Sequence, residues 1–198
     1  MARTHRTVAL AALALGLAGC ATLRQLTALR RVDFSLAGVQ DGRLAGVELR
    51  RIASYDDLSA LEIGRIALAV ARRDVPLEFT VMIRADNPAD NRTAATVARL
   101  AWTLLLDDKE TVSGVLDTTV VMPPGQTAYI PLPMRLNLRQ FFDGPAQSLV
   151  DLAASVAGLN SHPTKIAVRA VPTINTPLGP ITYPGPITIV SRTVGGSP

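Results

Sequence analysis

The chain has 198 residues, of which 48% are hydrophobic and 4% aromatic. That length is typical of one domain with a short additional segment, and its core must be built mainly from aliphatic side chains. The formal net charge is +4, and the arginines and lysines are scattered along the chain. Nucleic-acid-binding proteins usually gather basic and aromatic residues on one face, so the composition argues against that class.

The N-terminal residues have the three parts of a secretory signal peptide. Met1–Arg6 is short and basic, Val8–Leu17 is apolar, and the small residues Ala18 and Gly19 precede Cys20. The apolar run is shorter than the roughly 20 residues that a membrane-spanning helix needs. The pattern therefore predicts export rather than a membrane span.

The tetrapeptide that ends this pattern, "LAGC", resembles the lipobox of bacterial lipoproteins. The resemblance implies a signal peptide over residues 1–19 and cleavage between Gly19 and Cys20. It also implies a diacylglyceryl group on the Cys20 thiol and acylation of the new amino terminus. Two or three acyl chains anchor a protein stably, whereas one anchors it marginally. The alternatives are a buried free cysteine and an ordinary secretory signal in which Cys20 is incidental.

The residue after the cysteine is Ala21. Gram-negative lipoproteins that stay in the inner membrane commonly have an aspartate there, so the resemblance implies an outer-membrane protein facing the periplasm. Cys20 is the only cysteine, and no disulfide can form within the chain. We expect residues 20–31 to form a lipidated tether with weak helical tendency.

The first half of the remaining chain mixes strand and helix patterns. Alternation from Val32 to Leu36 indicates a strand, and Asp41-Gly42 predicts a hairpin turn. Ser54–Arg73 predicts a helix, because a good N-cap and two acidic residues open it and two arginines close it. Its second half could instead be a strand.

Three long alternating stretches follow. Residues 75–84 give the clearest strand, with apolar side chains at every second position. Leu100–Leu106 is similar and runs into a turn at Asp107-Asp108 and a shorter strand. Residues 128–137 have prolines at 131 and 133, which cannot donate to a ladder and therefore predict an edge strand.

The rest of the chain completes the fold-class prediction. Pro145–Gly158 has apolar residues at helical spacing, and strand patterns return after residue 165. Seven or so short strands separated by turn signals predict a mainly β protein. We expect an immunoglobulin-like or fibronectin-III-like antiparallel β-sandwich over residues 32–192, with one or two accessory helices and a flexible tail over 193–198.

The segment from Val75 to Leu138 resembles the late embryogenesis abundant (LEA) type 2 domain, also called the water-stress and hypersensitive-response domain. Three pieces in order carry the resemblance: "LEFTVMIRADNP", which ends in Asn87-Pro88; "LAWTLLLDDKETVSG", which ends in Ser113-Gly114; and "VMPPGQTAYIPLPMRLNL". The family often has Asn-Pro-Asn, and Ala89 replaces the last asparagine here. The resemblance implies a sandwich fold and a non-enzymatic role in desiccation, osmotic or envelope stress.

Candidate sites are few. Asp86, Asn87, Asp90 and Asn91 could form a calcium loop, although they lack the spaced acidic series of an EF-hand, and Asx residues beside proline are also typical of turns. The paired carboxylates at 56–57 and 107–108 are better explained by a helix start and a hairpin turn. His162 has no partners for zinc ligation or a nucleophilic triad.

We therefore expect no catalytic residues, no cofactor and no nucleic-acid partner. The leading hypothesis is a non-enzymatic, outer-membrane-anchored module that binds or protects envelope components. The alternatives are a lipid-handling periplasmic protein, which would hold an acyl chain beside the sandwich, and a structural accessory subunit of an envelope complex.

Overall fold

The computed structural model describes residues 22–140, 145–159, 165–176 and 179–190. The lipobox, including Gly19 and Cys20, lies outside these residues, and so does His162. No helix in the described ranges is long and apolar enough to span a membrane.

The described strands form two antiparallel sheets that pack face to face, which confirms the predicted β-sandwich. The first sheet contains β1 (Asp33–Leu44), β2 (Val47–Glu48), β3 (Pro76–Asp86) and β8 (Thr127–Asn137), in the order β2-β1-β3-β8. The second has the order β10-β9-β5-β6, with β11 also paired to β9. Its strands are β5 (Arg99–Leu106), β6 (Lys109–Leu116), β9 (Ile166–Thr176), β10 (Gly179–Thr182) and β11 (Ile187–Val190). A small ribbon pairs β4 (Ala95–Val97) with β7 (Val120–Met122).

The apolar residues of the alternating pattern predicted from sequence form the inward faces of both sheets. Leu77, Phe79, Val81 and Ile83 of β3 are buried. β8 lies at the edge of its sheet, as its two prolines predict. Because successive strand residues point to opposite faces, these runs place one continuous aliphatic core between the sheets.

An aromatic ring requires glycine at one position of the second sheet. Trp102 of β5 is buried and lies opposite Gly114 of β6. A Cβ atom built on Gly114 would lie 2.4 Å from the Trp102 ring. The missing side chain of Gly114 therefore makes room for the indole.

The helices correct two predictions. The segment predicted as one helix over 54–73 is a short 3₁₀ helix, Tyr55–Asp57, followed by α2, Ala60–Ala71. Two capping boxes divide it: Ser54 pairs with Asp57, and Ser59 pairs with Glu62. The alternative of a strand in the second half is wrong. The helix predicted over 145–158 is confirmed as α3, Ala146–Val156.

The N-terminal helix, α1, covers residues 22–30. Ala28 and Leu29 are buried in the common core, and Thr22 is also buried. Residues 22–31, which the sequence assigns to the lipidated tether, therefore include a helix that is docked on the domain.

The predicted hairpin turn at Asp41-Gly42 is also wrong. β1 continues through these residues with a shift in register between Gln40 and Arg43, and Asp41 has a φ of 55°. The turn lies at Ala45-Gly46, where both φ angles are positive. A Cβ on Gly42 would lie 3.4 Å from Ala157, so this glycine permits close approach of the residue that follows α3.

Candidate functional site

The four candidate calcium ligands lie together where β3 ends. Asp86 is the last residue of β3, and the other three follow in the loop before β4. Asn87 and Asn91 are 2% and 4% exposed, whereas Asp90 is on the surface. The loop therefore buries its two amides.

Asn87 ties the end of β3 to two other segments. Its Nδ2 donates to the backbone oxygen of Met122 in β7 over 2.7 Å, and more weakly to that of Thr93 over 3.4 Å. Its backbone nitrogen donates to the oxygen of Gln126 over 3.0 Å, and its backbone oxygen accepts from Gly125 over 2.8 Å. These bonds satisfy buried polar groups that would otherwise destabilise the fold.

Asn91 ties the same loop to α1. Its Nδ2 donates to Oδ1 of Asn87 over 2.6 Å and to the backbone oxygen of Ala28 over 2.9 Å. Ala28 lies in the last turn of α1, where helix carbonyls have no partner within the helix. Asn91 therefore caps α1, and we call the Asn87–Asn91 pair with these partners the asparagine clasp.

Two ion pairs surround the clasp. Arg31, directly after α1, contacts Asp90 over 2.5 Å through its guanidinium, and the same group donates to the Asp90 backbone oxygen over 3.2 Å. Arg84 contacts Asp86 over 2.8 Å. The pKa of Asp86 is lowered, mainly by a hydrogen bond from the Thr127 hydroxyl and to a smaller extent by the contact with Arg84. Both carboxylates therefore already have protein partners.

In the conformation described, the polar side chains of this loop bind other parts of the protein. Calcium takes about six to eight oxygen ligands, but the Asn87 amide oxygen accepts from Asn91, and Asp86 accepts from Thr127 and Arg84. Across the described ranges, no group of three or more His, Cys, Asp or Glu side chains is arranged to hold a metal ion. The loop closes one end of the sandwich and fixes α1 there.

Sequence reasoning located this loop but missed the clasp. Position 89 is alanine, and Asn91, two residues later, makes the side-chain hydrogen bonds to Asn87 and Ala28. The available signal was a second asparagine four residues after Asn87, close enough to reach back across one turn.

The other acidic pairs have the structural roles that the sequence favoured. Asp107 and Asp108 both have positive φ and form the two-residue turn between β5 and β6. The Asp107 carboxylate accepts from the backbone nitrogen of Lys165 over 3.1 Å, and Asp108 pairs with the Lys165 ammonium over 2.7 Å. Hydrogen bonds from the backbone of Ser54 and Ala53 lower the pKa of Asp57.

An apolar cavity lies between the two sheets. It is lined by side chains of both sheets, among them Phe34, Leu100 and Ile189, and its volume is about 10 Å³. That volume is about the minimum that one water molecule needs. Tyr183, in the segment after β10, is partly buried against the core.

Comparison with known proteins gives only distant similarity. No family model and no curated protein matches the chain. A crystal structure of a protein from Archaeoglobus fulgidus is 17% identical, with 79% of this chain and 94% of that chain covered and a TM-score of 0.37. The solution structure of a candidate LEA protein is 11% identical, with 97% and 87% covered and a TM-score of 0.41. Both TM-scores are below 0.5, so neither structure assigns a function to this chain.

Proposed function

We infer that this protein is a non-enzymatic lipoprotein of the bacterial envelope, anchored through acyl groups on Cys20 and facing the periplasm from the outer membrane. Its sandwich binds or protects envelope components during water or osmotic stress. The observation that carries the proposal is the N-terminal pattern, in which a basic start, a short apolar run and small residues precede Cys20. The LEA-like segment from Val75 to Leu138 supports the stress role.

The placement of α1 supports a short anchor. Thr22, the first residue of the described chain, already lies in the helix and follows Cys20 by two positions. Asn91 and Arg31 hold the other end of the helix against the loop after β3. A lipid on Cys20 would therefore attach the α1 end of the sandwich to the bilayer.

A binding role is better supported than catalysis because carboxylates that a sequence search would consider catalytic are engaged in the fold. Asp57 and Glu62 close capping boxes, and Asp107 and Asp108 bind Lys165. These contacts stabilise local structure and leave no obvious acid–base pair among these groups.

The lipid-handling alternative requires a cavity that can enclose an acyl chain. The apolar cavity between the sheets, at about 10 Å³, is far too small for one, so an acyl chain would have to lie beside the sandwich. Mass spectrometry of organic extracts of the purified protein would revive this alternative if a lipid co-purified in stoichiometric amount.

The anchor is tested by expressing the full chain and a Cys20→Ala variant in a Gram-negative host with an alkyne-tagged fatty acid. We expect the tag on the wild-type protein in the outer-membrane fraction and none on the variant. Equal tagging of both chains, or a wild-type chain that stays untagged, would contradict the anchor.

The protective role is tested by drying a desiccation-sensitive dehydrogenase with the detergent-purified full chain. Equal masses of albumin in the same detergent, and detergent alone, are the controls. We expect more enzyme activity after rehydration with this protein than with albumin. Retention equal to albumin, together with no envelope partner in cross-linked cells, would leave the stress role without support; a stoichiometric cross-linked complex would favour the accessory-subunit alternative.

A further inference from the structure

α2 is an apolar helix that the domain hardly covers. Of its twelve residues only Ile66 is buried. Leu61 and Leu68 are 68% and 50% exposed, which is unusual for side chains of this size. Six exposed apolar or small residues recur at spacings of three and four and form one outward stripe: Ala60, Leu61, Gly64, Ala67, Leu68 and Ala71.

This stripe lies where a water-facing helix normally has charged side chains. An amphipathic surface helix is polar on the side away from the core, and a helix that is apolar all round is typical of protein interiors or membranes. α2 contacts α3 and β2 through its other side. The exposed side therefore presents an apolar surface that the monomer does not use.

Arginines border the stripe on one side. Arg65 and Arg72 follow Leu61 and Leu68 by four residues each, so they lie along the edge of the leucine ridge, and Arg73 follows directly. None of these three makes a close ion pair with another residue in the described ranges, although the charge of Arg65 lies near enough to Glu62 to contribute to the lowering of its pKa. Arginine recognises phosphate well, and its long side chain can extend from an apolar surface towards head groups.

Glu62, the single acidic residue of α2, is engaged at the start of the helix. The Glu62 carboxylate accepts from the backbone nitrogen of Ser59 over 2.8 Å and from its hydroxyl over 2.6 Å. These hydrogen bonds lower the pKa of Glu62 and keep the carboxylate at the helix N-terminus. The outward side of α2 is therefore apolar with a cationic border.

We propose that α2 is a membrane-interfacial helix: Leu61 and Leu68 insert between the lipids of an anionic phospholipid surface while Arg65 and Arg72 bind the phosphates. The proposal rests on the inferred envelope location. An interfacial helix lies in the membrane plane and needs no spanning length. A second copy of the chain is a poorer occupant, because a helix about 18 Å long is too small to supply the roughly 800 Å² per partner of a standard interface.

The test uses thiol accessibility in the full chain. If Cys20 is acylated, a cysteine at Leu68→Cys is the only free thiol, and Val115→Cys is a matched control because Val115 is 47% exposed on β6. Membranes from broken cells are treated with a membrane-impermeant maleimide, and labelled peptides are mapped. We expect labelling at position 68 to be about tenfold slower than at 115, which corresponds to about 1.4 kcal/mol and is less than full burial of one leucine supplies. In detergent the two rates should be similar.

Purified protein in vesicles identifies the occupant. We expect protection of position 68 with phosphatidylethanolamine–phosphatidylglycerol, and loss of protection with phosphatidylcholine alone or after Arg65→Glu and Arg72→Glu. Equal labelling of positions 68 and 115 in native membranes would overturn the proposal. Protection in native membranes but not in anionic vesicles would also overturn it, since the cover would then be a protein. Protection that persists in detergent would instead indicate a second copy.

The same experiment separates failure of the anchor from failure of the α2 proposal. Labelling of Cys20 in the wild-type chain would contradict acylation, while peptide mapping would still report the accessibility of position 68.

Discussion

α2 and α3 are apolar helices of nearly equal length that use their side chains in opposite ways. α3 buries most of one face, namely Leu149, Val150, Ala153, Ala154, Ser155 and Val156. α2 buries only Ile66 and leaves its leucines at 61 and 68 in solvent.

The difference shows that an apolar helix face does not by itself say what covers it. The α3 face stabilises the domain, because its side chains pack against α2, β1 and the 3₁₀ turn. The exposed α2 face contributes little to folding and costs solubility, so its presence points to a role outside the monomer.

The sharpest test of this contrast is one leucine on each helix. Leu149→Ala should lower the free energy of unfolding by about 2–5 kcal/mol, since Leu149 is fully buried and the substitution leaves a cavity. Leu68→Ala should change it by less than about 0.5 kcal/mol, as expected of an exposed position. Urea titrations of both variants measure the difference. A large loss with Leu68→Ala would mean that the domain itself covers the α2 stripe.

The third helix, α1, is held by the asparagine clasp as well as by its apolar residues. Asn87→Ala should cost about 2–3 kcal/mol, because it leaves buried groups of Asn91 and Met122 without their partners. Asp90→Ala is the control: it removes only the exposed pair with Arg31 and should cost less than about 1 kcal/mol. Hydrogen exchange should show residues 22–30 losing protection in Asn87→Ala but not in the control. Equal losses in both variants would refute the clasp.

Substitutions at two glycines compare the space around α2 with the space inside the second sheet. Gly114→Ala should destabilise the protein by about 1–3 kcal/mol, because the new methyl group would collide with the Trp102 ring. Gly64→Ala on α2 should stabilise it by about 0.5–1 kcal/mol, because alanine is the better helix former and nothing lies within 4 Å of the added Cβ. Thermal melts of both variants give the two signs. A destabilising Gly64→Ala would show that α2 is more closely packed than described.

The sheets could be predicted from the sequence because side-chain alternation is a local property. The buried faces of β3, β5 and β8, the edge position of β8 and the turn at Asp107-Asp108 all follow from period two and turn chemistry. The β1–β2 turn could not be predicted, because Ala45 is an unusual residue at positive φ and Asp41-Gly42 offered a stronger local signal.

The clasp and the α2 stripe depend on long-range contacts. Asn91 reaches Ala28 across 63 positions of the chain, and no local pattern encodes that distance. The period of α2 shows apolar residues on several sides, but only the packing of α3 and β2 decides which side is covered. The division of residues 54–73 into two elements could have been predicted from the sequence, since both capping boxes, Ser54–Asp57 and Ser59–Glu62, are local patterns.

The start of α2 gives a modest effect that depends on pH. Ser59→Ala removes the N-cap and should lower stability by about 1 kcal/mol at neutral pH. The hydrogen bonds from Ser59 lower the pKa of Glu62 in the folded chain, so near pH 4 the unfolded chain binds more protons at this residue than the folded chain does. The contribution of Glu62 is therefore complete above its unfolded pKa and is lost as the pH falls through its folded pKa.

Glu62→Gln should accordingly flatten the fall in stability below about pH 5, and Ser59→Ala should flatten it in the same direction. Neither variant should change labelling of Leu68→Cys in membranes, because the cap and the stripe lie on different sides of α2. Urea titrations from pH 3 to pH 7 provide the measurement. If the free energy of unfolding of Glu62→Gln fell below about pH 5 as steeply as that of the wild-type chain, the carboxylate would not be engaged at the cap. Loss of membrane protection in Ser59→Ala would instead show that the stripe depends on a fully formed first turn.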